Sequence, residues 1–440
     1  MNAAHLVDLT GMMRLQWRSR AEIESVQRRR LRALVEHAYR KVPYYRDMFD
    51  SLRLKPSDIR RAEDLAALPI TTKAQLKALP LHERAASGVD LDRCKRSLTS
   101  GTTGVPLEIY FSRDDWTRLN LGVARAFMAC GMRPWHRMTS FVGRRDVHKK
   151  RSWYEYLGMW RGQDLSSWAS ADEWIASIRR WKPRALVGYV VTLRLLAEAV
   201  RREGIRDIRP SLVISGSGVI DEFTRRLIDS TFGCRVADFY GSFEAGAIAW
   251  QCDRCRDYHI SVDTVVLEVL RGGRPVKPGE EGEAVITNLF SHTMPFIRYL
   301  QDDVVVRSPR SPACGRQLPL LERVVGRTDD FITLRSGRRI PSQPFYYSIE
   351  PAPGIRRWRV VQESLATLRV DIETEPTFGP RSREIIEENL RAVVGDEMEL
   401  KIVLTQSLSV PPGMKFRQVS SLLTAAAVPG ATTGGGTGDA

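Results

Sequence analysis

The stretch Ser97-Leu-Thr-Ser-Gly-Thr-Thr-Gly-Val-Pro106 interleaves the hydroxyls of Ser100, Thr102 and Thr103 with Gly101 and Gly104 and closes on a proline. Glycine admits positive φ and close backbone approach, and successive N–H groups and hydroxyls together form a concave anion site. Such a loop is suited to gripping a polyphosphate. It is not a Walker A loop, because no Gly-Lys-Ser/Thr follows at the required spacing. A plain Ser/Thr/Gly surface turn is the alternative, and the density of phosphate-gripping groups weighs against it.

Downstream, from about 115 to 240, helical patterns alternate with short apolar strands. Ala185–Tyr189 lies between a helix carrying Trp174, Ile175 and Ile178 and one running from Leu193 to Arg202. Ser211–Ser215 reads as a buried strand and Asp221–Phe232 as the helix after it. This βαβα rhythm implies an α/β fold with a largely parallel, helix-covered sheet. Between about 257 and 326 the pattern turns to strands (Val262–Val269, Gly282–Asn288, Val304–Val306), which fits a small β-rich subdomain. A compact α+β unit follows, with strands at Trp358–Gln362, Leu365–Ile372 and Glu399–Leu404 and a helix at Ser382–Val394. Upstream of the loop, apolar residues at Leu15, Ile23, Val26, Leu31, Leu34, Val35 and Ala38 predict an amphipathic helix over 14–42, stopped by Pro43. A short helix over 73–79 is predicted behind Thr71 or Thr72 as N-cap.

The chain has 440 residues and carries 67 Lys and Arg against 52 Asp and Glu, a net charge of +15. Those basic residues are spread along the whole chain with no basic tail or nucleic-acid motif, so no nucleic-acid partner is expected. Every long apolar stretch is interrupted by Arg, Asp, Glu or Gly, and the N-terminus lacks the order of a secretory signal. The expectation is a soluble cytoplasmic protein that spans no membrane. The six cysteines make no disulfide framework in a chain this long.

With its elements in this order, the chain resembles the adenylate-forming superfamily of acyl-CoA synthetases, luciferases and peptide-synthetase adenylation domains. Within it, the resemblance is to the phenylacetate–CoA ligase-like branch and spans about residues 20–422. The loop Thr99-Ser100-Gly101-Thr102-Thr103-Gly104 is similar to the family's phosphate loop, which holds the β- and γ-phosphates of ATP. Phe239-Tyr240-Gly241-Ser242-Phe243-Glu244 resembles the Tyr-Gly-x-x-Glu motif. The resemblance implies that Tyr240 lies against adenine and that Glu244 ligates Mg²⁺, an ion that takes carboxylate and phosphate oxygens together. Ser215-Gly-Ser217-Gly218 looks like the glycine-rich adenine-side loop. Pro295–Asp303 resembles the Arg-Tyr-x-Thr-Gly-Asp segment, whose final aspartate, here Asp303, binds the ribose hydroxyls, although Gln301 and Asp302 replace Thr-Gly. Gly326-Arg327-Thr-Asp329-Asp matches the hinge motif, with Arg327 near ribose and phosphate and Asp329 at the hinge. Pro411–Val419 resembles the C-terminal motif with the adenylation lysine, Lys415, preceded here by Met414 rather than glycine.

The resemblance implies a large N-terminal adenylation domain over 1–326 and a mobile C-terminal domain over 327–423; the tail over 424–440, rich in Ala, Gly and Thr with no apolar period, is expected to be disordered. It also implies a two-step reaction. A substrate carboxylate attacks the α-phosphorus of ATP, giving an acyl-adenylate. The small domain then turns about Asp329 and admits the thiol of coenzyme A; an amine or a carrier-protein thiol is the alternative acceptor. Phe141–His148 falls where the family places its acyl pocket, with Arg144, Arg145 or His148 set to meet a polar acid or to form an exposed basic loop. A homodimer is common in this branch. Met414, Gln301 and Asp302 keep open a second class of reading, a scaffold with a decayed site.

Cys252-Asp-Arg-Cys255-Arg-Asp-Tyr-His259 joins a Cys-x₂-Cys knuckle to a histidine, and Cys314 brings a third thiol. That set favours a structural tetrahedral zinc, and the resemblance supports it; the alternative is buried reduced cysteines beside a surface histidine.

Overall fold

The computed structural model describes residues 3–98, 107–142, 153–167, 169–327, 332–340, 343–349, 351–408 and 418–423. The chain divides into two compact units, one of residues 1–99 and 107–324 and one from 325 onward.

The first unit is organised on a sheet of twelve strands. Gly162–Ser166, Met138–Val142, Ala185–Tyr189, Leu212–Gly216 and Val236–Ser242 lie side by side in parallel. Helices Ala171–Trp181, Val190–Arg202 and Glu222–Phe232 make the crossovers a parallel sheet requires. Trp174, Ile175, Ile178, Leu193, Leu196 and Ile228 bury their apolar faces against the strands. Asp221 caps the last of these helices by accepting the N–H of Thr224 at 2.8 Å, and Gly233 ends it at φ +68°.

After Ser242 the chain reverses. Gly246–Trp250 pairs antiparallel with Val236–Ser242, and the sheet continues outward through Tyr258–Ile260, Leu320–Arg327, Tyr299–Arg307, Glu281–Asn288, Val265–Arg271 and Arg274–Pro275. The β-rich stretch read at 257–326 is therefore present, as the antiparallel half of the same sheet.

That half is covered by residues far away in sequence. Leu31, Leu34, Val35, Tyr45 and Phe49 pack on Val266, Leu289 and Ile297. Each fully buried side chain of this size is worth about 1.5–3 kcal/mol. The N-terminal helical region is two helices, Ala3–Leu15 and Arg20–Lys41, rather than one. Ser19 and Glu22 form a capping box that opens the second helix, so the break is a designed start. The short helix Lys73–Ala78 opens on Thr72, whose hydroxyl accepts the N–H of Gln75. Strands Lys95–Leu98 and Glu108–Phe111 pair antiparallel, Leu98 opposite Glu108.

Buried polar groups tie these layers. Arg125 of helix Arg113–Ala129 meets Asp263 at 2.6 Å with both side chains out of solvent. The guanidinium of Arg298 pairs with Glu268 at 3.2 Å and donates to the carbonyls of Ala66 and Leu68. The backbone of Arg298 accepts the N–H of Thr71 at 2.8 Å. Arg298 is thus a clamp between residues 66–71 and the sheet.

The second unit carries a four-stranded sheet in the order Glu399–Thr405, Thr367–Thr374, Ile355–Ser364, Val419–Ser421. Helix Pro380–Val394 seats Ile386, Leu390 and Val394 in one core with Trp358, Val360, Val370 and Ile372. Among the described residues, no helix is long and apolar enough to cross a membrane.

Breaking the Arg298–Glu268 pair leaves a half-buried carboxylate and two carbonyls without that guanidinium. Arg298→Met is expected to destabilise the first unit by about 3 kcal/mol, read from the urea midpoint. Combining it with Glu268→Leu should recover most of that loss, because the uncompensated charge is then gone.

Candidate functional site

The strand Val236–Ser242 carries Tyr240 at the point where the sheet changes from parallel to antiparallel. Its hydroxyl donates to Asp303 Oδ2 at 2.8 Å, across 63 residues of sequence. Asp303 lies on an irregularity in Tyr299–Arg307: Val304 stands opposite Glu283 and Leu300 opposite Val285, so residues 301–303 face Ala284 alone. A bulge of this kind re-aims a side chain. Asp302 sits in it at φ +57°, a left-handed conformation that aspartate enters more readily than most residues. Asp302, which stands where the resembled motif has glycine, therefore takes a backbone conformation that glycine favours.

Glu244 follows the strand and is 8% exposed. Its carboxylate Oε1 accepts the hydroxyl of Tyr299 at 3.2 Å, and its backbone carbonyl accepts the amide of Asn288 at 2.7 Å. The turn that holds it is fixed by the Ser242 hydroxyl, which accepts the N–H of Ala245 at 3.2 Å. Ser217 and Gly218 follow the parallel strand Leu212–Gly216, with Ser217 at φ +56°. They lie beyond the carboxyl ends of parallel strands, where open α/β sheets place their ligands.

Beneath this surface lies a network that motif reading did not register. Asp238 is two residues before Tyr240 and is buried, which pushes its carboxyl above the ordinary range. It accepts from Ser215 at 2.6 Å and from Tyr258 at 2.5 Å, joining the strand Leu212–Gly216 to Tyr258–Ile260. Serine and tyrosine donors dispersed over 44 residues carry no sequence signal of their own.

The next residue along that strand is His259. Its ring and the thiols of Cys252, Cys255 and Cys314 bring their donor atoms within 4.8 Å of one another, all four residues buried. Cys252 Sγ accepts the N–H groups of Arg254 and Cys255 at 3.4 and 3.2 Å, which favours thiolate over thiol. Burial, with Arg316 adding to it, drives the His259 imidazole down to about 3, so it stays neutral. Burial raises Cys252 and pushes Cys255 up to about 12. Burial acts in the same sense on Cys314, but the N–H donors of Arg316 outweigh it and leave that thiol below its ordinary value. All six cysteines are free of disulfides. Three sulfurs and one neutral imidazole are the donor set of a closed tetrahedral site, and the buried Nδ1 of His259 has no hydrogen-bond partner. The residues fit a soft divalent ion.

Thr99, Ser100, Gly101, Thr102, Thr103 and Gly104, expected from the sequence to form a phosphate loop, lie outside the described residues, as do Arg144, Arg145, His148, Asp329, Lys415 and the tail 424–440. Arg327 ends the strand Leu320–Arg327, and its side chain is also outside the description. Tyr299, Asn288 and Arg316 are neighbours of the site that sequence reasoning passed over, although Tyr299 lies inside the Pro295–Asp303 segment.

No protein-family model matches the chain. In structure it is similar to 2-hydroxyisobutyryl-CoA ligase in the postadenylation state in complex with R3-HIB-AMP, at a TM-score of 0.75 and 21% identity, over 93% of this chain and 91% of that one. The fold is that of the adenylate-forming ligases. In sequence the chain is 26% identical to the phenylacetate-coenzyme A ligase of Thermus thermophilus over 397 residues, 84% of this chain and 86% of the relative. It is 28% identical to the phenylacetate-coenzyme A ligase of Escherichia coli K12, over 73% of this chain and 75% of that one. Within the class, the likeness is thus to phenylacetate–CoA ligases over most of the chain.

Gly241 closes the strand where a Cβ would come within 2.3 Å of the Gly246 carbonyl oxygen and 2.8 Å of the Phe239 ring. Neither neighbour is a flexible tip. Gly241→Ala is expected to cost about 2 kcal/mol and to lower the melting temperature of the first unit, measured by calorimetry.

Proposed function

We propose that this chain activates a carboxylic acid with ATP and passes the acyl group to coenzyme A. The observation that carries the reading is the Tyr240–Asp303 hydrogen bond of 2.8 Å, which joins the residues assigned to adenine and to ribose. The names of the sequence relatives support coenzyme A as the acceptor.

In the first step the substrate carboxylate attacks the α-phosphorus, the bond to the bridging oxygen breaks, and pyrophosphate leaves. In-line displacement at phosphorus needs positioning and charge neutralisation more than covalent chemistry by the protein. Residues 99–104 take the β- and γ-phosphates. Tyr240, Gly241 and Ser242 line the adenine side with Ser217 and Gly218, Asp303 accepts from the ribose hydroxyls, and Arg327 contacts ribose and phosphate. Lys415 bridges the attacking carboxylate and the α-phosphate oxygens as charge moves between them. Glu244 offers an oriented carboxylate that fits Mg²⁺, which neutralises phosphate charge when bound. In the second step a thiol attacks the acyl carbonyl carbon and AMP departs, with Asp329 as the hinge between steps. Cys252, Cys255, His259 and Cys314 hold a structural zinc that fastens the sheet strand Tyr258–Ile260 to the segment entering Leu320–Arg327.

The experiment is acid-dependent pyrophosphate release from ATP and Mg²⁺ with pooled aryl and alkyl acids, with hydroxylamine as trap and no coenzyme A. Lys415→Ala is expected to lower the release at least about a hundredfold. Release that is unchanged in the variant removes Lys415 from the mechanism, and silence with no ATP binding removes the enzyme reading. Adding coenzyme A then yields a thioester; hydroxamate with no thioester assigns the acyl group to an amine or a carrier-protein thiol.

Elemental analysis of the purified chain is expected to find one zinc per molecule. Cobalt exchange should give the charge-transfer absorption of a sulfur-rich tetrahedral site, and Cys314→Ser should reduce both the metal content and the melting temperature.

A further inference from the structure

Two segments 55 to 63 residues apart exchange hydrogen bonds in a reciprocal way. Tyr240 donates from the first to Asp303 of the second at 2.8 Å, and Tyr299 donates from the second to Glu244 of the first at 3.2 Å. Their strands are not neighbours: Gly246–Trp250, Tyr258–Ile260 and Leu320–Arg327 stand between Val236–Ser242 and Tyr299–Arg307. The two tyrosine–carboxylate bonds thus connect, through side chains alone, elements that backbone pairing leaves apart.

Resting on the assignment of Glu244 to the metal, we propose that Tyr299 is a positioning residue for it. Among the described residues, its hydroxyl supplies the only hydrogen bond to the Glu244 carboxylate. Donation to Oε1 fixes the rotation of that carboxylate and leaves Oε2 as the oxygen offered to a cation. The donor itself is held firmly. Tyr299 is 2% exposed, packs edge-on to Phe296 with ring centres 5.1 Å apart, and pairs with Ile286 across the sheet. The bulge that begins two residues later separates its direction from that of Asp303, so one strand serves both carboxylates. Asn288 fixes the other end of Glu244 through its carbonyl, so backbone and side chain are held by different strands.

The test compares wild type, Tyr299→Phe, Glu244→Gln and Phe296→Leu. Binding of the α,β-methylene analogue of ATP is measured with Mn²⁺ and again with chelator, using water-proton relaxation to follow bound Mn²⁺. Tyr299→Phe is expected to weaken the Mn²⁺-dependent part of binding about tenfold, the loss of one hydrogen bond to a charged group, while metal-free nucleotide binds as to wild type. Phe296→Leu, which disturbs the packing and spares the hydroxyl, should lower the melting temperature and leave the Mn²⁺ dependence in place. If Tyr299→Phe matches wild type while Glu244→Gln loses the Mn²⁺ dependence, the positioning role falls and the metal assignment stands. If Glu244→Gln keeps the dependence, the metal assignment itself falls and the positioning role with it. Equal weakening of metal-bound and metal-free binding by Tyr299→Phe makes the residue structural only and overturns the proposal.

Discussion

The change of direction at Ser242 is the constraint on which the rest of the first unit depends. On one side Val236–Ser242 is bonded in parallel to Leu212–Gly216, and on the other it is antiparallel to Gly246–Trp250. Parallel strands oblige the chain to return by helices, and antiparallel ones permit tight turns. The strand at the junction is therefore reached by loops from both regimes: Ser217 and Gly218 from the helical half, and the bulge at 301–303 from the β half. The room for the reversal is small. Gly241 admits no side chain, because the Gly246 carbonyl and the Phe239 ring occupy the space.

Buried polar groups then tie the elements of this unit together. Asp238 joins Ser215 to Tyr258, Arg125 joins a helix to Asp263, and Arg298 joins residues 66–71 to Glu268. Each is costly to break because a charge or a carbonyl would be stranded in the interior. His259 of the cysteine–histidine cluster lies one residue beyond Tyr258, so the strand that completes the Asp238 network also carries a member of that cluster.

Much of this was legible in the chain. Alternating apolar strands and amphipathic helices marked the parallel half, because Trp174, Ile175 and Ile178 recur at helical spacing. The order of short motifs marked the class, because Tyr240, Glu244 and Asp303 need particular neighbours in sequence as well as in space. The knuckle of Cys252 and Cys255 with His259 and Cys314 was likewise readable, since thiols at that spacing have few other uses. What periodicity could not give was the sheet order. Nothing local says that Tyr258–Ile260 sits beside Leu320–Arg327, or that a β-rich run extends an existing sheet. The break at Ser19 was missed because the apolar face continues on both sides of the capping box. Arg298 read as part of a motif, and its clamp on residues 66–71 is a long-range fact. Tyr299 was inside a quoted segment, but a tyrosine's partner is visible only when the carboxylate is seen facing it.

Several hydrogen bonds of the helical start of the chain go to partners made much later. Gln27 bonds to the carbonyl of Val262 across 235 residues, His37 to that of His292 across 255, and Gln16 accepts from Arg316 across 300. During synthesis at about 5–20 residues per second, the shortest of these intervals lasts about ten to fifty seconds. For that time the face of Arg20–Lys41 carrying Leu31, Leu34 and Val35 has left the ribosome with Val266, Leu289 and Ile297, the sheet residues of its core, still untranslated. The nascent chain is thus a client for any factor that shields apolar helices, and slow codons before residue 262 would lengthen its exposure more than slow codons after residue 316.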